Sequence, residues 1–140
     1  MVFNYKNFLF AFFFACLIGS GPNGCASLQE KKSLNSFDER SRLYGRLLRW
    51  KEYEAAANMI RHQDESPKDV NLDDYNDLRV VEYEIKSIVV SEDKKSAVVD
   101  AEITYYFATR GTLKTIRDAQ NWWYLEETEN WFLDGALPAF

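Results

Sequence analysis

Apolar and polar positions divide the chain into three patterns. Residues 8–18 (FLFAFFFACLI) form an uninterrupted run of 11 apolar residues. From about residue 36 to residue 61 apolar positions recur with helical spacing, and from residue 79 onward they alternate with polar ones. The first pattern has no polar face to turn to water. The other two each have one, and so belong to a folded domain with one buried side per element.

Within the helical stretch, Ser36-Phe37-Asp38-Glu39 reads as a capping box, with Ser at the N-cap and Glu three residues on. On a helical wheel Phe37, Leu43, Tyr44, Leu47 and Leu48 cluster on one side. Trp50, Tyr53, Ala57 and Ile60 cluster on another. One straight helix would present two unrelated faces, so the pattern predicts two packed helices with a break near Arg49–Lys51. Gly45 inside the first helix costs about 1 kcal/mol relative to Ala, which is expected to mark a close approach to a sheet. Residues 62–70 (HQDESPKDV) read as a loop, and 71–77 (NLDDYND) as one helical turn.

The alternating stretch predicts strands. In 79–90, Val81, Tyr83, Ile85 and Val89 share one face, with Glu82, Glu84 and Lys86 on the other. Ser91-Glu92-Asp93-Lys94 turns the chain. In 95–108, Ala97, Val99, Ala101, Ile103, Tyr105 and Phe107 line one face, and Asp100, Glu102 and Thr104 the other. Arg110-Gly111 turns again into a third long strand over 112–126. Glu127-Thr128-Glu129-Asn130 closes a hairpin into Trp131–Asp134. Two helices followed by an antiparallel meander of about four strands predict an α+β domain with the helices on one side of the sheet.

The apolar run changes where this domain is expected to reside. Six of the ten Phe lie in the first 14 residues, the flanking segment 1–7 carries one Lys and no acid, and Gly19, Ser20, Gly21 and Pro22 end the run. Eleven residues reach only about 16 Å as a helix, whereas a bilayer core needs about 20 residues. A charged start, a short apolar run and small residues form a signal-peptide pattern. Gly24-Cys25-Ala26-Ser27 follows, and it resembles the lipobox of bacterial lipoproteins. Pro22 and Asn23 stand where that family usually has Leu and a small residue. The resemblance implies cleavage before Cys25, a lipid on its sulfur, and an anchor of two or three acyl chains, each buried methylene contributing about 0.8 kcal/mol. Ala26 after the cysteine implies the outer membrane of a diderm bacterium, with the domain facing the periplasm. The expected organisation is a leader over 1–24, a polar tether over 25–35 and a domain over 36–140.

The net charge of the chain is −5 and its pI is about 4.9. Residues 1–24 hold one Lys and no acid, so the remainder is one unit more negative. That balance argues against nucleic acid, which requires a positive surface. Two cysteines and one histidine exclude a disulfide framework and a His-rich metal site, and no cofactor or metal is expected. With Cys16 lost in the leader, Cys25 has no partner within the chain.

The element order also resembles the nuclear transport factor 2-like superfamily, whose cone-shaped fold wraps a curved sheet around N-terminal helices; cystatin-like folds are the structural rival. The resemblance covers about residues 36–134. It rests on Trp50-Lys51-Glu52-Tyr53-Glu54-Ala55-Ala56 and on Asn121-Trp122-Trp123-Tyr124-Leu125 with Asn130-Trp131-Phe132-Leu133-Asp134. The usual third helix is reduced to the 71–77 turn. Some members of the superfamily are enzymes with Asp, His and Tyr in the cone, which makes Asp118 a weak catalytic candidate.

Other chemistry is sparse. His62 as a base would need a partner to fix its tautomer, and none is evident. Asp69-x-Asn71-x-Asp73 echoes a calcium loop, but Asp74 and Val80 stand where that loop needs Gly and Glu; capping of a helical turn explains these residues more simply. Tyr83, Tyr105, Arg117, Trp123 and Trp131 are candidates to line a site for a partner or a small amphiphile. Consecutive Trp122, Trp123 and Tyr124 point to alternate faces, so at least one ring lies away from the helices. The expected function is non-catalytic binding or scaffolding at the membrane, toward an envelope protein, a second copy or an amphiphile. An acid–base enzyme on a small hydrophobic substrate is the alternative.

Overall fold

The computed structural model describes residues 23–140, with side chains from Ser27 onward. Residues 1–22 of the expected leader and the side chain of Cys25 lie outside the described residues, while residues 23 and 24 begin the first helix. Eight elements follow in order: α1 (Asn23–Arg49), α2 (Tyr53–Ala57), η1 (Asp73–Tyr75), β1 (Leu78–Val90), β2 (Ser96–Phe107), β3 (Lys114–Leu125), η2 (Glu126–Thr128) and β4 (Asn130–Asp134). The four strands form one open antiparallel sheet in the order β1-β2-β3-β4. With α1 packed on one side, the chain is an α+β domain.

The helix begins earlier than the capping box suggests. Ser36 is not an N-cap; its Oγ donates to the Ser33 carbonyl inside α1 at 2.7 Å. The polar stretch 25–35 is helical as well. Part of it has a reason to be ordered. Lys32 Nζ lies 2.6 Å from Glu129 Oε2, and Trp131 Nε1 donates to the Ser33 carbonyl at 3.0 Å. Tertiary contacts with the β3–β4 hairpin extend a helix that local signals would have started later.

The break falls where the two wheel faces demand it. Lys51 has φ of 66°. Its N–H bonds the Leu48 carbonyl, and the Glu52 N–H bonds the Leu47 carbonyl at 2.9 Å. This is a Schellman closure with Lys in the left-handed position that Gly usually takes. The reversal buries Tyr53, Ala57 and Ile60 but turns Trp50 outward, 64% exposed. The second helix also stops at Ala57 rather than continuing to Arg61. Residues 59–61 instead run beside β4: the Leu133 N–H bonds the Met59 carbonyl and the Arg61 N–H bonds the Leu133 carbonyl, a parallel bridge that covers this edge.

On β2 the alternation reads as expected, with Ala97, Val99, Ala101, Ile103 and Tyr105 all buried. On β1 it does not. Register shifts at Val80/Glu82 and Ile85/Ser87 each insert a residue, and each bulge moves the following side chains to the opposite face. The helix-side residues are therefore Val80, Tyr83, Ile85, Ile88 and Val90 by register. Val81 and Val89, expected on that side, are exposed.

The core forms where α1 crosses the sheet. Phe37 meets Trp131 at 4.8 Å between ring centroids and Trp122 at 6.2 Å, and Tyr44 meets Trp122 at 5.8 Å and Tyr83 at 6.3 Å. Gly45 faces the Tyr83 ring: a Cβ there would stand 2.7 Å from Cε1 and 2.8 Å from Cγ. The helix approaches β1 this closely because the residue has no side chain.

Candidate functional site

Strand β3 places Asp118, Gln120 and Trp122 on its helix side, since residues two apart share a face. Their register partners on β2 are Ala101, Val99 and Ala97. Small partners leave room above the strand, and a polar cluster fills it. Gln120, 2% exposed, is the hub. Its Nε2 donates to Tyr83 Oη at 2.8 Å and to Asp118 Oδ2 at 2.7 Å, and its Oε1 accepts from Trp122 Nε1 at 3.0 Å. The amide thereby uses both of its donor hydrogens and an acceptor site. Tyr44 Oη is buried nearby and has no hydrogen-bond partner among the described residues.

Burial sets the proton affinities here. Loss of hydration disfavours the carboxylate of Asp118 and raises its pKa, against the Gln120 hydrogen bond, which lowers it. The hydroxyls of Tyr83 and Tyr44 are pushed well up by the same loss of solvent, with the Asp118 charge adding to it. An acid that holds its proton more tightly beside two tyrosines has the elements of acid–base chemistry. Asp118 itself is half-buried. One surface concavity of about 280 Å³ is lined by Ile60, Arg61, His62, Glu65, Ser66 and Lys68. Another, about 470 Å³, is lined by Leu28, Lys31, Lys32, Asn35, Ser36 and Glu39. Neither reaches Asp118.

Among the described residues no helix covers the opposite face of the sheet. Register places Val89, Val98, Asn121 and Asp134 in one row across it, and Ser96, Trp123 and Phe132 in the next. Val89 is 65% and Val98 48% exposed. Trp123 and Phe132 are half-buried and stack at 5.9 Å. The guanidinium carbons of Arg40 and Arg61 each lie 5.6 Å from the Phe132 ring centre, within cation–π range. Trp123 Nε1 donates to the Arg61 carbonyl at 2.7 Å, tying the ring to the 59–61 segment. Beside it, His62 Nδ1 lies 3.1 Å from Asp134 Oδ1. Farther along the face, Arg117 pairs in register with Glu102, and Lys86 bridges Glu84 at 2.6 Å and Glu102 at 3.4 Å. One end of the face is apolar and aromatic, and the other is charged.

The five residues singled out by sequence are split between the two faces. Tyr83, Tyr105 and Trp131 lie on the helix side, with Tyr105 and Trp131 in the core. Arg117 and Trp123 belong to the uncovered face. They do not line one cavity. The orientation of Asp118, undecided by alternation, is toward the helix. Three features had no clear sequence signal. The Gln120 hub depends on Tyr83 reaching across β2. His62 does have a partner, brought to it because Ile60 runs beside Leu133. The double cation contact on Phe132 joins α1 to the 59–61 segment. Asn71 Oδ1 accepts from the Asp73 N–H at 3.1 Å, a local turn into η1, whose N-cap position is Leu72 with no side-chain cap bond. Among the described residues no group of three or more His, Cys, Asp or Glu is arranged to hold a metal, and no helix is long and apolar enough to cross a membrane.

No protein-family model matches the chain, and neither does any curated protein or solved structure searched.

Proposed function

We propose that the chain is a lipoprotein of a diderm bacterial envelope. A lipid on Cys25 anchors it to the outer membrane, facing the periplasm, and its domain has a non-catalytic binding or scaffolding role. One observation carries the binding role: the difference between the sheet faces. Under α1 the space is filled by side chains, and the carboxylate there is bonded to a buried amide. On the other side Val89 and Val98 are exposed beside the half-buried Trp123 and Phe132, and exposed apolar surface of this kind marks an interaction site. The partner is an envelope protein, a second copy or a small amphiphile. The anchor rests on the sequence alone. The finer fold reading is a nuclear transport factor 2-like or cystatin-like arrangement, with η1 as a three-residue remnant of a third helix.

Expression of the full chain in a diderm bacterium tests both halves. The membrane fraction should yield an intact mass equal to residues 25–140 plus two or three acyl chains. A photo-crosslinker at Val98 should give discrete adducts, and one at Glu54 none. An unmodified chain in the soluble periplasm would remove the anchor. Equal adduct patterns from both positions would remove the binding face.

A second reading, an acid–base enzyme on a small hydrophobic substrate, is favoured by the inward Asp118 beside Tyr83. It requires a path to that carboxylate, and Asp118→Asn would abolish turnover of such a substrate.

A further inference from the structure

The helix side of the sheet is not covered by α1 alone. After β4 the chain continues as Gly135–Phe140, a segment without helix or strand, which lies over the end of the sheet near Tyr105. Its Leu137 and Pro138 are buried. Phe140 packs edge-on against Tyr75 at 5.8 Å and Tyr105 at 4.8 Å. Yet its attachment by hydrogen bonds is slight. Among the described residues, one hydrogen bond joins it to the rest of the domain: Tyr75 Oη donates to the Pro138 carbonyl at 3.0 Å.

Leu137 belongs to the core, and the residues beneath the segment also have contacts apart from it. Tyr53 Oη donates to the Leu78 carbonyl at 3.1 Å, and its ring packs on Tyr75 at 5.3 Å. Tyr105 sits within β2 and meets Phe107 at 5.8 Å. Neither the Tyr53 hydrogen bond nor the β2 ladder involves Gly135–Phe140. An aromatic-lined groove with a tyrosine hydroxyl aimed at a peptide carbonyl is a recurrent way of recognising proline-containing peptides. The residue it meets here is a proline, followed two positions later by an aromatic ring.

We propose that this cleft is a binding site for a short apolar peptide carrying proline and an aromatic residue, and that Ala136–Phe140 occupies it as an internal competitor. The occupant itself defines the chemistry that fits. A ring enters between Tyr75 and Tyr105, and a carbonyl two residues earlier accepts from Tyr75 Oη. Entry of a second peptide requires the segment to leave, so its affinity for the intact chain is reduced by the fraction of time the cleft is closed. This site lies on the helix side of the sheet and is independent of the uncovered face.

The test uses the full chain and a fluorescein-labelled peptide of sequence Ala-Leu-Pro-Ala-Phe, read by anisotropy. Phe140→Ala weakens the internal competitor and keeps Tyr53, Tyr75 and Tyr105 in the chain. It should bind the peptide saturably, on the order of tenfold more tightly than the unaltered chain. The peptide ending in Ala should not bind either chain. If Phe140→Ala unfolds without cooperativity, Phe140→Leu carries the same comparison with a smaller change in volume. Equal binding to both chains, no saturable binding to the variant, or equal uptake of the two peptides would each overturn the proposal.

Discussion

On the helix side of the sheet β2 contributes Ala97, Val99, Ala101, Ile103 and Tyr105, all buried; on the other side the same strand contributes Val98, Asp100, Glu102 and Thr104, none buried. The inner face is closed by size matching. Ala97 stands beside Trp122 and Ala101 beside Asp118 in register, and Gly45 lets α1 approach Tyr83. Every side-chain N and O of Gln120 is in use there. The outer face has no such matching. Its rings are fastened at the margin, Trp123 by the Arg61 carbonyl and Phe132 by two guanidinium groups, while its valines are open. A face that is closed on itself specifies the fold. A face whose rings are fastened while its valines at one end stay open is free to meet something else.

The contrast is sharpest in volume changes. Trp122→Ala should cost about 3–5 kcal/mol, because it empties the centre of the inner face and leaves Gln120 Oε1 without its donor. Urea unfolding measures this, and a loss below about 1 kcal/mol would mean that the inner face is not the tightly packed one. Gly45→Val adds volume at the same place and should cost about 1–3 kcal/mol through overpacking against Tyr83. If the variant is as stable as the parent, α1 does not approach β1 so closely.

Trp123→Ala, the outer counterpart of Trp122→Ala, should cost about 1–2 kcal/mol, from half-buried area and the hydrogen bond to Arg61. A loss equal to that of Trp122→Ala would erase the distinction between the faces.

The inner face also has a pH signature. Asp118 holds its proton to a higher pH folded than unfolded, because burial disfavours its charge. The folded state then binds more protons between the ordinary value of 3.8 and the raised one, so stability falls as pH rises through that window. Asp118→Asn removes this loss. The variant should be the more stable chain at neutral pH, and the two should converge near pH 3 in paired urea titrations. A variant less stable at pH 7 would show that the carboxylate contributes more through Gln120 than it loses by burial. At the small end, Val89→Lys should change stability by within about 0.5 kcal/mol. A larger loss would place Val89 against something in the folded chain.

Part of this was readable along the chain. The alternation in β2, the turns at 91–94 and 127–130, the single helical turn before β1 and the break near Arg49–Lys51 all depend on neighbours a few residues apart. So did the close contact at Gly45, since a costly residue in a helix interior needs a packing reason. The inner orientation of β3 was not readable. Its alternation puts Asp118, Gln120 and Trp122 on one face and Arg117, Ala119 and Asn121 on the other, and neither set is apolar throughout.

What the amino-acid sequence determined by itself is therefore the class and order of elements: helix, break, and an antiparallel meander with one apolar face. These follow from periodicity and turn chemistry, which act locally. The tertiary structure alone decided the bulges that send Val89 outward, the early start of α1 against Glu129 and Trp131, the direction of Asp118, the pairing of His62 with Asp134, and the packing of Phe140 between Tyr75 and Tyr105. Each joins residues far apart in the chain. Their energies depend on which surfaces meet after folding, and no local pattern of hydrophobic and polar positions carries that information.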